Sequence, residues 1–143
     1  DGSKIAYIQV GVRHDIWVMN TDGSNRTLLT NNASSINTRP DWSPDGSRIV
    51  YEANPPGGGG MGIWVMDANG ANGVRIAADG NDPAWSPDGK RIAFAGGGDL
   101  YTMKPDGSDE ARVTNTPELD ANATWAAVRT SSPSSRMAPA ASN

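Results

Sequence analysis

The chain has 143 residues, no cysteine and a formal net charge of −4 at pH 7. The lack of cysteine excludes a disulfide framework and a thiolate metal site. The scattered basic residues argue against a nucleic-acid surface, and no apolar run approaches the roughly 20 residues that a membrane helix needs. Glycine and proline supply 17 and 10 residues, which favours a β protein with many short turns.

Two sequence phrases alternate along the chain. The first, WSPDGSRIVY at 42–51, returns as WSPDGKRIAF at 85–94, and DGSKIAY at 1–7 is the same phrase without its front. The second occurs as DIWVMNTDG at 15–23, GIWVMDANG at 62–70 and DLYTMKPDG at 99–107. Trp42, Trp85 and Trp125 stand 43 and 40 residues apart, a period typical of four-stranded propeller blades.

One complete unit shows the predicted elements in order. Four short runs contain β-branched or aromatic residues and are separated by turn residues, which predicts strands at 40–43, 48–53, 62–67 and 74–77. Ser-Pro-Asp-Gly at 43–46 and again at 86–89 predicts a hairpin, because proline fixes φ and glycine accepts positive φ. The sequence therefore predicts an all-β protein with about three blades of four antiparallel strands.

These phrases resemble the TolB-like β-propeller repeat, a WD-like propeller repeat. The family pattern is Pro-x-Trp-Ser-Pro-Asp-Gly, an Ile-Ala-Phe strand, an Ile-Tyr-Val-Met strand, Asp-Gly and a Leu-Thr ending, and the resemblance covers 1–127. It departs in three places. Glycine replaces the aspartate before the third strand of the second unit, Ile76-Ala77 replaces the Leu-Thr ending, and no Ser-Pro-Asp-Gly turn follows Trp125.

The resemblance implies that each blade has strands A to D, counted outward from the propeller axis, with the Trp phrase as strand A. The repeats then occupy 1–128, and a tail rich in Ser, Ala and Pro occupies 129–143 and is expected to be a disordered end or a linker. The predicted blades are approximately 1–30 completed by a strand A at 122–128, then 38–78, and then 82–114.

Closure of the ring has two explanations that the sequence leaves open. Three blades do not close, because known rings use about four to eight. The chain could be part of a longer protein with further blades. Alternatively, two chains could form one six-bladed ring as a homodimer, each lending its strand at 123–128 to the other.

The strand pattern also predicts the packing. Ile16 and Val18 fall at period two on the third strand, with Trp17 on the opposite face. Trp64 and Tyr101 occupy the same position as Trp17 in the later units. We expect these aromatic residues, together with the Trp of each strand A, to pack between neighbouring blades.

The B–C and D–A connections vary between units, whereas the A–B and C–D turns repeat. Because strands alternate in direction, the variable connections emerge on one face, here called the loop face, which is the candidate binding face. Arg39, Asp82 and Asn122 each precede a tryptophan by three residues and are expected to ring the channel mouth. The predicted ligand-binding residues are Arg13, His14, Arg39, Asn81, Asp82, Asp120 and Asn122.

Each of these residues has an alternative role, which is to cap a strand end or to solvate the rim. Their mixed charge argues against a high-affinity metal site. No cofactor is expected, although convergent oxygens at the mouth leave room for a weakly held cation.

The sequence argues against catalysis. His14 is the only histidine, so one chain cannot build a Ser-His-Asp triad or a multi-histidine metal site, and no catalytic residue is predicted. The resemblance implies a non-catalytic scaffold that binds a protein or a small polar ligand, periplasmic or secreted, in the bacterial envelope or outside the cell. The alternative is a propeller that gates a larger hydrolase, such as a prolyl-oligopeptidase-like peptidase.

Overall fold

The computed structural model describes residues 2–31, 36–54 and 58–126. These residues form short strands and no helix, so none of them forms a helix that could cross a membrane. The strands are β1 (Lys4–Val10), β2 (His14–Asn20), β3 (Thr27–Leu28), β4 (Ile36–Trp42), β5 (Arg48–Asn54), β6 (Gly62–Asp67), β7 (Val74–Ala77), β8 (Asn81–Trp85), β9 (Ile92–Gly96), β10 (Asp99–Met103) and β11 (Ala111–Arg112). The all-β prediction is confirmed.

Within each blade, strands that follow each other in sequence also pair in space. β1 to β3 form the first blade, β4 to β7 the second and β8 to β11 the third, and every pair within a blade is antiparallel. Among the described residues, one parallel bridge between His14 and Ile36 joins the first two blades. The described part of the chain is therefore a partial propeller.

The Ser-Pro-Asp-Gly turns owe their repetition to one local network. The Ser43 hydroxyl donates to Asp45 at 2.6 Å and accepts the Arg48 amide at 2.9 Å, while the Gly46 amide donates to the Ser43 carbonyl at 2.8 Å. Hydrogen bonds from the Ser43 hydroxyl, and then from Ser47, lower the pKa of Asp45 to about 2. The turn at 86–89 repeats the network, so each A–B hairpin is specified by its own side chains.

The hydrophobic core lies between blades. One cluster joins Ile16 and Val18 of the first blade to Ile49, Tyr51 and other residues of the second. The other joins the second blade to the third. Trp42 and Trp64 pack against the first cluster, while Trp85 and Tyr101 belong to or pack against the second. These four aromatic residues pack between blades as predicted, whereas Trp17 and Trp125 belong to neither cluster.

Glycines in the C–D turns allow neighbouring blades to approach closely. Gly70 has φ of 86°, and a Cβ there would lie 2.7 Å from the Leu29 carbonyl oxygen of the preceding blade. Gly107 has φ of 84°, and its Cβ would lie 2.5 Å from the Ile76 carbonyl oxygen. Glycine is thus required both by the left-handed turn and by the contact between blades.

Two predicted strands differ from the structure. β4 begins at Ile36 and not at residue 40, because the chain pairs with β5 on both sides of a bulge. The prediction of a strand at 122–128 finds no support in residues 122–126, which form no strand, although the Trp125 indole Nε1 donates to the Ala84 carbonyl at 3.0 Å. Residues 127 and 128, and the tail at 129–143, lie outside the described residues.

Candidate binding site at the channel mouth

The first strands of the second and third blades contain the same irregularity. Arg39 and Asp82 have φ of 51° and 54°, and the register shifts around both residues. Asn122, at the corresponding point of the next repeat, has φ of 55°. A proline follows Arg39 and Asp82, which a bulge tolerates because no ladder donor is required there. The sequence placed these residues before strand A, whereas Arg39 and Asp82 lie within it.

Two carboxylates of the second blade accept backbone amides at and just after the bulge of β8. Glu52 of β5 accepts the Asp82 amide with one oxygen and the Thr38 hydroxyl, at 3.0 Å, with the other. Asp41 of β4 accepts the Trp85 amide at 2.7 Å. Unpaired buried amides are costly, so these carboxylates stabilise the third blade against the second.

Arg39 links the two bulges to Asn122. Its guanidinium pairs with Asp82, lies 3.3 Å from Glu52 and donates to the Asn122 side-chain oxygen at 3.4 Å. Half of the Arg39 side chain is exposed (52%), whereas the Glu52 side chain is 6% exposed. The arrangement therefore presents a partly solvated cation above a buried carboxylate.

Burial changes the acidity of both supporting carboxylates. Burial raises the pKa of Glu52 above its ordinary value, and the hydrogen bond from Thr38 and the charge of Arg39 oppose this effect. Burial also raises the pKa of Asp41, against the hydrogen bonds from the amides of Trp85 and Trp42. The two carboxylates therefore take up protons more readily than exposed carboxylates.

An open groove of about 700 Å³ runs along these first strands, and we call it the mouth groove. Its walls combine apolar rings with polar side chains. The lining residues are Arg39, Pro40, Asp41, Asp82, Pro83, Ala84, Trp85, Pro87, Asn122, Ala123, Thr124 and Trp125. The structure therefore brings together three of the predicted ligand-binding residues, namely Arg39, Asp82 and Asn122.

The other four predicted residues do not line the groove. Asn81 lies next to it, with its amide 3.5 Å from the Asp82 carboxylate. Asp120 lies beside the third B–C loop, where its backbone amide donates to the Gly98 carbonyl at 2.9 Å.

Arg13 and His14 belong to the first blade. The Arg13 guanidinium lies 3.6 Å from Asp15 and donates to Asn31 at 3.3 Å, and the His14 carbonyl accepts the Asn37 side-chain amide at 3.3 Å. Neither residue lines the mouth groove.

Sequence reasoning missed Glu52 and Asp41. A usable signal exists, because the corresponding residues of the third unit are Ala95 and Ala84. The other units have Ile8 at the position of Glu52 and Thr124 at the position of Asp41, and a charge where the repeat otherwise has uncharged residues suggests a specific partner. Among the described residues, no group of three or more His, Cys, Asp and Glu side chains is arranged to hold a metal ion. The weakly held cation stays a prediction.

The strand order, the blade packing and the repeated turns define a β-propeller. The family model of the TolB beta propeller domain matches residues 1–97. The chain therefore belongs to the TolB β-propeller family.

Curated relatives agree with this assignment. The chain is 36% identical over 79 residues to the Tol-Pal system protein TolB of Rhizorhabdus wittichii, covering 54% of this chain and 18% of that protein. It is 28% identical over 124 residues to the Protein TolB homolog of Chlorobium luteolum, covering 83% and 28%. The chain thus spans less than a third of the length of these relatives.

Solved structures show the same fold. A protein assigned as TolB from Agrobacterium tumefaciens matches with a TM-score of 0.67 at 26% identity, covering 80% of this chain and 43% of that one. An acylaminoacyl peptidase from Pyrococcus horikoshii matches with a TM-score of 0.57 at 14% identity, covering 78% and 23%. The second likeness concerns the fold alone.

Proposed function

We propose that this chain is part of a non-catalytic propeller that binds a protein partner through the mouth groove, in the bacterial periplasm. The observation that carries the proposal is the convergence of three residues of positive φ at equivalent repeat positions, Arg39, Asp82 and Asn122, on one open groove. Bulges re-aim side chains and are common beside functional sites. No cofactor is needed for such a role.

The groove has the chemistry of a protein-binding surface. Its floor and walls include two indole rings, from Trp85 and Trp125, and three prolines. Arg39 supplies donors that are half exposed, and Asn122 supplies both donors and acceptors. Apolar rings flanked by polar side chains are typical of interface centres. An open groove suits an extended peptide segment, whereas small molecules are usually bound in pockets that enclose them.

The relatives suggest the partner. Proteins named Tol-Pal system protein TolB match this chain at 36% and 37% identity. We therefore propose that the partner is a component of that system, and Pal, which gives the system part of its name, is the first candidate. The alternative role as a gate of a peptidase has only fold-level likeness at 14% identity.

Glycine substitutions test the groove without disturbing its backbone. Glycine adopts positive φ freely, so Asn122→Gly and Asp82→Gly keep the left-handed conformation and remove only the side chain. We expect each variant to bind purified Pal of Rhizorhabdus wittichii about tenfold more weakly by calorimetry, which is about 1.4 kcal/mol.

Asn72→Gly is the matched control. Asn72 also has positive φ, 54°, but lies in a C–D turn on the opposite face, so its loss should leave Pal binding unchanged. Equal affinity in all three variants, or no binding of Pal by the unchanged chain, would refute the proposal.

A further inference from the structure

The first and third blades share an arrangement of side chains at the start of strand C, which is β2 in the first blade and β10 in the third. In the first blade the Thr30 hydroxyl lies 3.3 Å from the Asp15 carboxylate and accepts the Ile16 amide at 2.9 Å. In the third blade Thr114 accepts the Leu100 amide at 2.9 Å, next to the buried Asp99. In both blades, a threonine after the outermost strand thus accepts an amide of the neighbouring strand, next to a buried aspartate.

An arginine completes this arrangement in the third blade. Arg112, two residues before Thr114, places its guanidinium 2.6 Å from the Asp99 carboxylate. In the second blade Arg75 occupies the corresponding position, but Gly62 and Ala77 replace the aspartate and the threonine. The arginine is retained although its acidic partner is absent.

Arg75 has backbone partners in place of a carboxylate. Its Nε donates to the Ala77 carbonyl at 3.3 Å, and its Nη2 donates to the Ala78 carbonyl. The same Nη2 lies 3.0 Å from the Gly59 carbonyl and 3.5 Å from that of Gly60. Among the described residues, no carboxylate lies within ion-pair distance of Arg75.

The missing side chain at Gly62 makes room for this guanidinium. A Cβ at Gly62 would lie 2.5 Å from Arg75 Nε and 2.8 Å from Nη2. Any other residue at position 62 would therefore displace the guanidinium. Glycine at 62 and alanine at 77 therefore occur together with an arginine whose partners are backbone carbonyls and not a carboxylate.

We infer that Arg75 is a positioning residue that holds residues 58–61 of the second B–C loop as a preformed contact loop on the loop face. A planar guanidinium with several donors can tie the outer strand β7 to the loop, which a single point charge does less well. The contact role rests on the proposed function, whereas the positioning role does not.

The loop is placed for contact with a partner. Residues 58–60 are exposed at the loop face. The loop follows β5, which contributes Glu52 to the bulge network beneath the mouth groove. Gly58, Gly59 and Gly60 all have positive φ, from 73° to 107°, so this shape requires glycine and is easily lost without a tether.

NMR relaxation of the full chain tests the inference. We expect order parameters near 0.85 for the Gly59 and Gly60 amides, falling below about 0.6 in Arg75→Leu. Leucine is the natural residue at this repeat position in the first blade, where it is Leu28, so the variant should fold. Arg75→Lys should give intermediate values.

Arg112→Leu is the matched control, because it removes the corresponding arginine without touching the loop at 58–61. If Arg75→Leu leaves both order parameters unchanged, or if Arg112→Leu lowers them equally, the positioning role is overturned. Pal titration separates the contact role. A mobile loop with about tenfold weaker binding supports it, and a mobile loop with unchanged binding refutes it.

Failure of the unchanged chain to bind Pal would refute the proposed function and the contact role together. The relaxation data would still decide whether Arg75 holds the loop.

Discussion

Glu52 is a charged side chain in the middle of a buried strand, and its partners explain how the fold accommodates it. It accepts the Asp82 amide and the Thr38 hydroxyl, and Arg39 lies 3.3 Å away. These contacts do not fully offset its burial, because its pKa remains above the ordinary value. The folded protein therefore holds the Glu52 proton more tightly than the unfolded chain does.

This difference predicts a pH dependence of stability. Between the ordinary pKa of 4.5 and the raised folded value, the folded state binds more protons, so the Glu52 contribution to stability falls as pH rises through that window. In Glu52→Gln this fall should be smaller. Urea unfolding at a series of pH values from about 4 to 7 measures it.

Asp45 serves as a control because its pKa is shifted in the opposite direction. Its folded pKa of about 2 lies below the ordinary 3.8, so its contribution is present above the ordinary value and is lost as pH falls toward the folded one. Asp45→Asn should lower stability at neutral pH, and this difference from the unchanged chain should shrink as pH falls below the ordinary 3.8. A Glu52→Gln profile parallel to that of the unchanged chain would show that Glu52 does not titrate in this window.

At the scale of elements, the turns and most strands could be predicted from the sequence. Ser-Pro-Asp-Gly carries its own hydrogen bonds, so the hairpin at 43–46 depends on few distant residues. β6 and β7 occupy the predicted ranges for the same reason, because turn residues bound short apolar runs.

The features that could not be predicted from the sequence depend on contacts between blades. The bulge at Arg39 is not visible in local sequence, so β4 appeared to start at residue 40. Glu52 was not predicted as a site residue, because its contact with the Asp82 amide of the next blade is not visible in local sequence. Arg75 was missed because its role follows from residues absent at 62 and 77. Local patterns cannot supply such long-range pairings.

The C–D turn glycines give an element-scale prediction. Gly107 approaches the Ile76 carbonyl, whereas nothing lies within 4 Å of a Cβ at Gly23, the same turn in the first blade. Alanine at either position must adopt the left-handed conformation, which lowers the free energy of unfolding by about 1–2 kcal/mol. Gly107→Ala should cost a further 1–3 kcal/mol or so from overpacking.

Urea unfolding of the two alanine variants measures this difference. Its absence would mean either that the blade contact relaxes freely or that Gly23 also meets a neighbouring blade. The second explanation would apply if another blade packs against the first.

At the scale of the whole molecule, the first blade has an unpaired edge among the described residues. β1 pairs with β2 alone, and no described strand covers its other side. Exposed strand edges tend to pair with other chains. Further blades of a longer chain or a second copy of this chain could each fill the position.

Light scattering of the full chain distinguishes these outcomes. If two chains close a six-bladed ring, we expect a solution mass near twice 15.0 kDa, since closed symmetric assemblies leave no open edge. The prediction follows from a shared axis with three blades per chain. A mass near 15.0 kDa at all concentrations would contradict the homodimer and favour further blades.

The three mouth-groove residues of positive φ have one backbone conformation but three different chemistries. Arg39, Asp82 and Asn122 differ in charge, yet their φ values lie within a few degrees of one another, from 51° to 55°. The repeat thus fixes where each side chain emerges and leaves its identity open. A lineage could therefore exchange recognition residues one blade at a time, and the rim of such a ring can diverge while its architecture is inherited unchanged.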